Sequence, residues 1–149
     1  DKALKHIEKA KELKNHPFHV ETFYYFLKRT KMLFNGELIK ALEYCSQIIK
    51  AQKSNVNILY YTYHCLLEFA SNIIKEDEML VEKSDKNEFS AAKKLAKNLL
   101  EKYKGEIIKF IEFVENKTNE ALTKEGVENP QEFKEKTSKL MDFYSEISK

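Results

Sequence analysis

Apolar residues recur along this chain at helical spacing, and one segment is apolar on two opposite sides. In residues 18–34, one stripe of side chains falls on a single helical face at about 100° per residue. This stripe consists of Phe23, Phe26, Leu27, Thr30, Leu33 and Phe34. A second stripe of Phe18, Tyr25 and Met32 repeats on the opposite face. Because a helix that is apolar all round is normally buried between neighbours, this segment predicts either the central helix of a bundle or a helix with one face kept for a partner.

Turn signals divide the first part of the chain into three helices. The first is predicted over residues 2–15, and His16-Pro17 ends it because the residue before proline avoids the helical conformation. The second covers residues 17–34, and Asn35-Gly36 marks the turn before the third, which extends to Lys53. The inward residues of the first helix are Ala3, Leu4, Ile7, Ala10 and Leu13. Those of the third helix are Leu38, Ala41, Leu42, Cys45, Ile48 and Ile49.

The fourth predicted helix is also heavily buried. Ser54 or Asn55 can cap it, since both side chains accept hydrogen bonds from free N–H groups of a first helical turn. Its apolar face is predicted to contain Ile58, Tyr61, Thr62, Cys65 and Phe69, joined by Leu59, Leu66, Ala70 and Ile73. Its polar strip is predicted to be Asn57, His64, Glu68, Ser71 and Lys75. The following Met79-Leu80-Val81 fits either a last helical turn or a packed loop.

Ser84 or Asp85 can start a long fifth helix. We predict that this helix is continuous from about residue 87 to 115. Gly105 would normally suggest a stop, yet the apolar residues on either side of it keep the same angular phase. We therefore predict one continuous helix, at a propensity cost of about 1 kcal/mol for the glycine. Its buried face is Phe89, Ala92, Ala96, Leu99, Leu100, Tyr103, Ile107, Phe110, Ile111 and Val114. Asn129-Pro130 then opens a last helix that carries Phe133, Leu140, Met141, Tyr144 and Ile147.

These elements predict an all-α fold, an antiparallel bundle of about six to seven helices. We expect a three-helix unit over residues 1–53 and a second helical unit over residues 54–149, packed on the first as one compact body. The 149 residues include 3 Gly and 2 Pro, too few for a linker or for the turns of a sheet protein. Since the chain begins at Asp1, we interpret it as a fragment whose targeting signals lie elsewhere.

The charge distribution gives no strong indication of nucleic-acid or membrane binding. The formal net charge is +2, and Arg29 is the one arginine, whereas nucleic-acid sites favour arginine. Residues 54–92 carry a net charge of −4, which suits either a basic partner or a solvated turn. We expect no cofactor, no nucleic acid and no direct membrane insertion. Cys45 and Cys65 lie on apolar faces and are predicted to be buried and reduced.

Residue types that could support chemistry occur singly or in weak pairs. His16 and His19 lie close in sequence, with His6 on the first helix, but no carboxylate is placed to complete a metal site. His64 and Glu68 are one turn apart, which fits a general base with its orienting acid or, more simply, an exposed pair. Lys93, Lys94, Lys97, Lys102 and Lys104 form a basic run that Glu101 and Glu106 interrupt. We therefore predict no catalytic residues and no enzymatic activity.

Three segments resemble one family. They are the amphipathic segment Leu4 to Leu13, the step His16-Pro17 followed by the aromatic segment Phe23-Tyr24-Tyr25-Phe26, and the entry Asp85 to Ala92 into the long helix. Their order is similar to the N-terminal tandem MIT (microtubule-interacting and trafficking) domain of Vta/LIP-type activators of the ESCRT-disassembling AAA ATPase. This chain departs from the family in having His16 where an acid usually precedes the proline, and in lacking an Arg-Ala-Gly after the acidic entry.

The resemblance implies a non-enzymatic adaptor in multivesicular body sorting. Such domains bind amphipathic helical tails of ESCRT-III subunits, and the AAA ATPase would be engaged by regions outside this chain. The implied location is cytoplasmic and peripheral on endosomal membranes. From helix geometry alone, we predict a partner-binding surface made of Tyr25, Arg29, Met32, Lys40, Tyr44 and Gln47. The alternative is a structural or exported surface bundle that binds an unrelated protein partner.

Overall fold

The computed structural model describes residues 2–12, 24, 27, 28, 30, 31, 35–51, 54–76 and 78–148, except for the side chains of residues 79, 80 and 83. This part of the chain is helical and contains no strand, which confirms the predicted all-α class. The helices are α1 (Lys2–Glu12), α2 (Leu38–Ala51), α3 (Val56–Ile74), α4 (Glu78–Lys83), α5 (Lys86–Asn116), α6 (Asn119–Lys124) and α7 (Pro130–Ile147). Most of the predicted second helix lies outside the described residues, so the N-terminal three-helix unit stays a prediction.

Side-chain caps fix where the three longest of these helices begin. The Asn55 side chain accepts a hydrogen bond from the Ile58 N–H at the start of α3, and Asp85 accepts from two N–H groups at the start of α5. Asn129 caps α7, in which Pro130 takes the first helical position. Each cap satisfies donors that the first helical turn leaves without partners. Of the predicted alternatives, Asn55 and Asp85 are therefore the capping residues.

Helix α5 continues through Gly105, as predicted. Its buried positions include Tyr103 and Ile107 on either side of the glycine, so the phase is unbroken. Gly105 itself faces outward, and a Cβ built on it would have no neighbouring atom within 4 Å. The glycine therefore marks an exposed position of a continuous helix and not a turn.

The core is formed where α2, α3 and α5 pack against one another, with α7 packed on α3 and α5. One continuous cluster of buried residues extends from Leu38 to Tyr144, so it joins residues on both sides of the boundary predicted after residue 53. The Ser46 hydroxyl and the Tyr103 hydroxyl lie 2.7 Å apart and form a hydrogen bond between α2 and α5. The buried residues of α2 are the six predicted ones.

The exposed strip of α3 differs from the predicted one. Tyr61 was expected in the apolar face but is 44% exposed, whereas Asn57 and Ser71 of the predicted polar strip are buried. The reason is that three helices cover α3, and the loop before α7 covers Asn57, whose Nδ2 donates to the Gly126 carbonyl. Cys65 is half-buried rather than buried, while Cys45 is buried as predicted.

Two short helices complete the described fold. Met79-Leu80-Val81 belongs to α4, which settles the choice between a helical turn and a loop. Helix α6 was not predicted. The Thr118 hydroxyl caps it by accepting from the Ala121 N–H, and Leu122 anchors it in the core.

Candidate functional site

The surface predicted from helix geometry is only partly described. Tyr25, Arg29 and Met32 lie outside the described residues, so nothing tests whether they meet α2. Lys40, Tyr44 and Gln47 follow one another along α2: the first and last are exposed and Tyr44 is half-buried. The Lys40 ammonium pairs with the Glu37 carboxylate at 3.0 Å, and this hydrogen-bonded pair raises the pKa of Lys40 and lowers that of Glu37.

The candidate catalytic pair, His64 and Glu68, matches the simpler of the two predicted alternatives, an exposed pair on a helix surface. His64 Nδ1 and Glu68 Oε2 are 3.7 Å apart, and both side chains are about half exposed to solvent. An open i,i+4 pair of this kind is an ordinary feature of a helix surface. Cys65 is half-buried beside it, and Cys45 is buried in the core. The pair is therefore not enclosed by other groups that would orient a substrate.

The described part of the chain holds neither a cluster of metal ligands nor a helix suited to span a membrane. His6 is exposed on α1, while His16 and His19 fall outside the described residues. The described histidine, cysteine and acidic side chains form no group of three that could hold a metal ion. None of the described helices combines the length and apolar character needed to cross a membrane.

The basic run lies along the outer face of α5. Lys93 is half-buried and pairs with Glu76 at 3.0 Å, whereas Lys94, Lys97 and Lys104 are exposed. Exposed acidic residues of the same helix, Glu101 and Glu106, lie among these lysines. The result is a helix face of mixed charge.

An apolar groove lies between α3 and α5. Its volume is about 630 Å³, within the range of ligand-binding clefts. Val56, Leu59 and Tyr63 of α3 and Phe110 and Phe113 of α5 give it an apolar lining. The rings of Tyr63 and Phe110 pack with their centroids 5.4 Å apart and close its floor.

The groove differs from the buried core in having a partly exposed aromatic side chain, Phe113. The side chain is 39% exposed, although its neighbours Phe110 and Val114 are buried. The Lys117 ammonium lies 4.5 Å from the centre of the Phe113 ring and is held by an ion pair with Glu125. The aromatic ring is thus fixed at the edge of the groove with part of its surface open to solvent.

Charged residues border the groove on its α5 side. Glu106 and Lys109 are both exposed, and neither forms an ion pair with a described residue. Burial raises the pKa of the Tyr63 hydroxyl, and the Glu106 carboxylate adds to this shift because it disfavours a second negative charge. The groove therefore presents a neutral aromatic floor with one acidic and one basic group at its edge.

Sequence reasoning missed this groove because it assigned Leu59 and Phe110 to buried helix faces and did not place Val56, Tyr63 or Phe113 on any surface. Phe113 was left out of the predicted buried face of α5, and that omission was the available signal. The chain's other candidate residues do not converge on one site within the described structure. Comparisons with protein-family models, curated proteins and solved structures yield no match.

Proposed function

We propose that this chain is a non-enzymatic protein-binding domain that receives an amphipathic helix of a partner in the groove between α3 and α5. The observation that carries the proposal is the half-open aromatic ring of Phe113 above an apolar floor. Grooves between two helices bind a third helix by burying its apolar stripe, and nearby charges set its register.

The charges at the groove define the chemistry of the partner helix. Lys109 offers an ammonium without an ion-pair partner among the described residues, and Glu106 offers a carboxylate on the same helix. A complementary helix would carry apolar residues spaced by three and four positions, a carboxylate opposite Lys109 and a cation opposite Glu106. The Lys117 charge is already neutralised by Glu125, so these two side chains contribute to the shape of the groove and offer aliphatic contacts to the partner helix.

The resemblance to tandem MIT domains gives the proposal its specific form. On this basis, we propose helical C-terminal tails of ESCRT-III subunits as the partners and endosomal sorting as the process. The AAA ATPase would be engaged through regions outside this chain. A cytoplasmic location, peripheral on endosomal membranes, belongs to the same proposal.

A matched pair of surface variants tests the groove. Phe113→Gln removes the exposed aromatic ring from the groove, whereas Val81→Gln removes a comparably exposed apolar side chain from α4. Fluorescence anisotropy with labelled ESCRT-III tail peptides should show about tenfold weaker binding for Phe113→Gln, because the loss of an aromatic contact in the groove costs about 1.4 kcal/mol or more. Val81→Gln should bind like the unmodified protein.

Two outcomes would count against this function. Equal affinity of both variants would place the binding surface elsewhere, with the Lys40, Tyr44 and Gln47 face of α2 as the next surface to mutate. Absence of binding to any ESCRT-III tail would reject the endosomal form and favour a helical bundle with an unrelated partner. Circular dichroism of both variants would verify that the fold is retained.

A further inference from the structure

A second, smaller cavity lies on a different face of α3, beneath the loop that joins α6 to α7. Its volume is about 260 Å³. One wall is aromatic: the ring centroid of Tyr60 lies 5.2 Å from that of Tyr61 and 5.3 Å from that of Phe133. Tyr61 is exposed at the mouth, whereas the other two rings are buried. The cavity shares no lining residue with the groove between α3 and α5.

Two buried polar groups of this cavity have hydrogen-bonding capacity that no described residue uses. Asn57 is 8% exposed, and its Nδ2 donates to the Gly126 carbonyl at 3.4 Å, while its Oδ1 accepts no hydrogen bond from a described residue. Tyr60 is 7% exposed, and its hydroxyl makes no hydrogen bond with a described residue. Buried polar atoms in native proteins are normally paired, so these two acceptors suit a ligand that donates hydrogen bonds.

The charges around the cavity favour a cation as that donor. Its ionisable side chains, apart from the tyrosines, are Glu128, Glu132 and Lys136. Glu132 and Lys136 pair with each other at 3.1 Å, and Glu132 also accepts a hydrogen bond from Asn129. Glu128 forms no ion pair with a described residue, so its carboxylate is the uncompensated charge of the cavity.

We propose that this cavity binds the basic side chain, lysine or arginine, of a protein partner. The cationic group donates to Asn57 Oδ1 and to the Tyr60 hydroxyl, and the Glu128 carboxylate supplies the opposite charge. The aliphatic stem packs against Tyr61 and Phe133, whose ring faces also attract the cation. The inference rests on the proposed function only in taking the ligand to belong to a protein.

Single amino-acid probes test the cavity without any knowledge of the partner. Nα-acetyl-lysine methylamide and Nα-acetyl-arginine methylamide are titrated into ¹⁵N-labelled protein, and Nα-acetyl-norleucine methylamide serves as the uncharged control. At least one cationic probe should cause saturable shifts of the Asn57 side-chain amide and of the Gly126 and Tyr61 backbone N–H signals. The norleucine probe should cause none.

Surface variants make the test specific. Tyr61→Ala and Glu128→Gln each change an exposed residue, so the fold should persist, and each should weaken the cationic probe about threefold. Glu120→Gln, an exposed change on α6 outside the cavity, should leave the affinity unchanged. Absence of saturable shifts, equal shifts from the norleucine probe, or unaltered affinity in both cavity variants would overturn the inference. Because none of these probes is a helix, failure here is distinguishable from failure of helical peptides to bind the groove.

Discussion

The backbone N–H of Ile39 donates a hydrogen bond of 3.2 Å to Oε1 of Glu88, so a side chain of α5 caps the first turn of α2. The two residues are 49 positions apart in the sequence. The first N–H groups of a helix lack partners within that helix, and a carboxylate at this end is also favoured by the helix dipole. Glu88 therefore fixes the start of α2 against the start of α5.

Removal of this cap should destabilise the domain. We expect Glu88→Ala to lower the free energy of unfolding by about 1 kcal/mol, in the range of other helix caps. Glu101→Ala, an exposed change on the same helix, should have little effect and serves as the control. Urea unfolding followed by circular dichroism measures both. Equal stability of the two variants would show that the cap contributes nothing.

Substitution by alanine should change the stability of the protein in opposite directions at Gly105 and Gly126. Gly105 lies within α5 with open space around it, so Gly105→Ala should stabilise the protein by about 0.5–1 kcal/mol through better helix propensity. Gly126 has φ of +88°, a conformation that alanine rarely adopts, so Gly126→Ala should destabilise it. Thermal unfolding of both variants tests this, and a lower melting temperature for Gly105→Ala would contradict a continuous α5.

Alkaline pH should destabilise the fold partly through Tyr60. Burial, with smaller contributions from Tyr61 and Cys65, raises the pKa of Tyr60 from 10.0 to about 12. Since the unfolded chain loses this proton near pH 10, stability is fully present below pH 10 and is lost as the pH rises towards 12. The Tyr60→Phe variant should therefore lose less stability between pH 9.5 and 11.5. An equal loss in both proteins, measured by denaturant unfolding, would exclude this contribution.

The two cysteines should differ in reactivity. Cys45 is 2% exposed in the core, whereas Cys65 is half-buried at the edge of α3. An aromatic disulfide reagent should modify Cys65 first, and Cys45 should react only through opening of the fold. The variants Cys45→Ser and Cys65→Ser assign the two kinetic phases. Modification of Cys45 at the rate of Cys65 would contradict its place in the core.

Helical periodicity predicted much of this fold, because it identifies which face of a helix is apolar. It identified the buried face of α2 and the continuity of α5 across Gly105. It assigned Asn57 of α3 to the polar strip, because the loop at Gly126 that covers this residue comes from a distant part of the sequence. It also placed Tyr61 in the apolar face, although this side chain is 44% exposed. Helix α6 was missed since a helix of 6 residues, with Leu122 as its one buried residue, has too few positions to show a period.

The groove could not be predicted in the same way. Periodicity indicates which face of α3 or α5 is apolar. It does not show whether a neighbouring helix covers Leu59, Tyr63 and Phe110 at their positions along that face. The predicted surface depended on Tyr25, Arg29 and Met32, which lie outside the described residues. The groove therefore emerges from the arrangement of α3 and α5 in space.

The most direct test of the account is to map where an amphipathic helix binds. Backbone N–H shifts of ¹⁵N-labelled protein would be followed during titration with ESCRT-III tail peptides, and with the same peptides carrying Asp in the apolar stripe as controls. The account predicts saturable shifts concentrated at Leu59, Tyr63, Lys109 and Phe113, and no shifts with the Asp-substituted peptides. Shifts confined to other surfaces, or none at all, would contradict it.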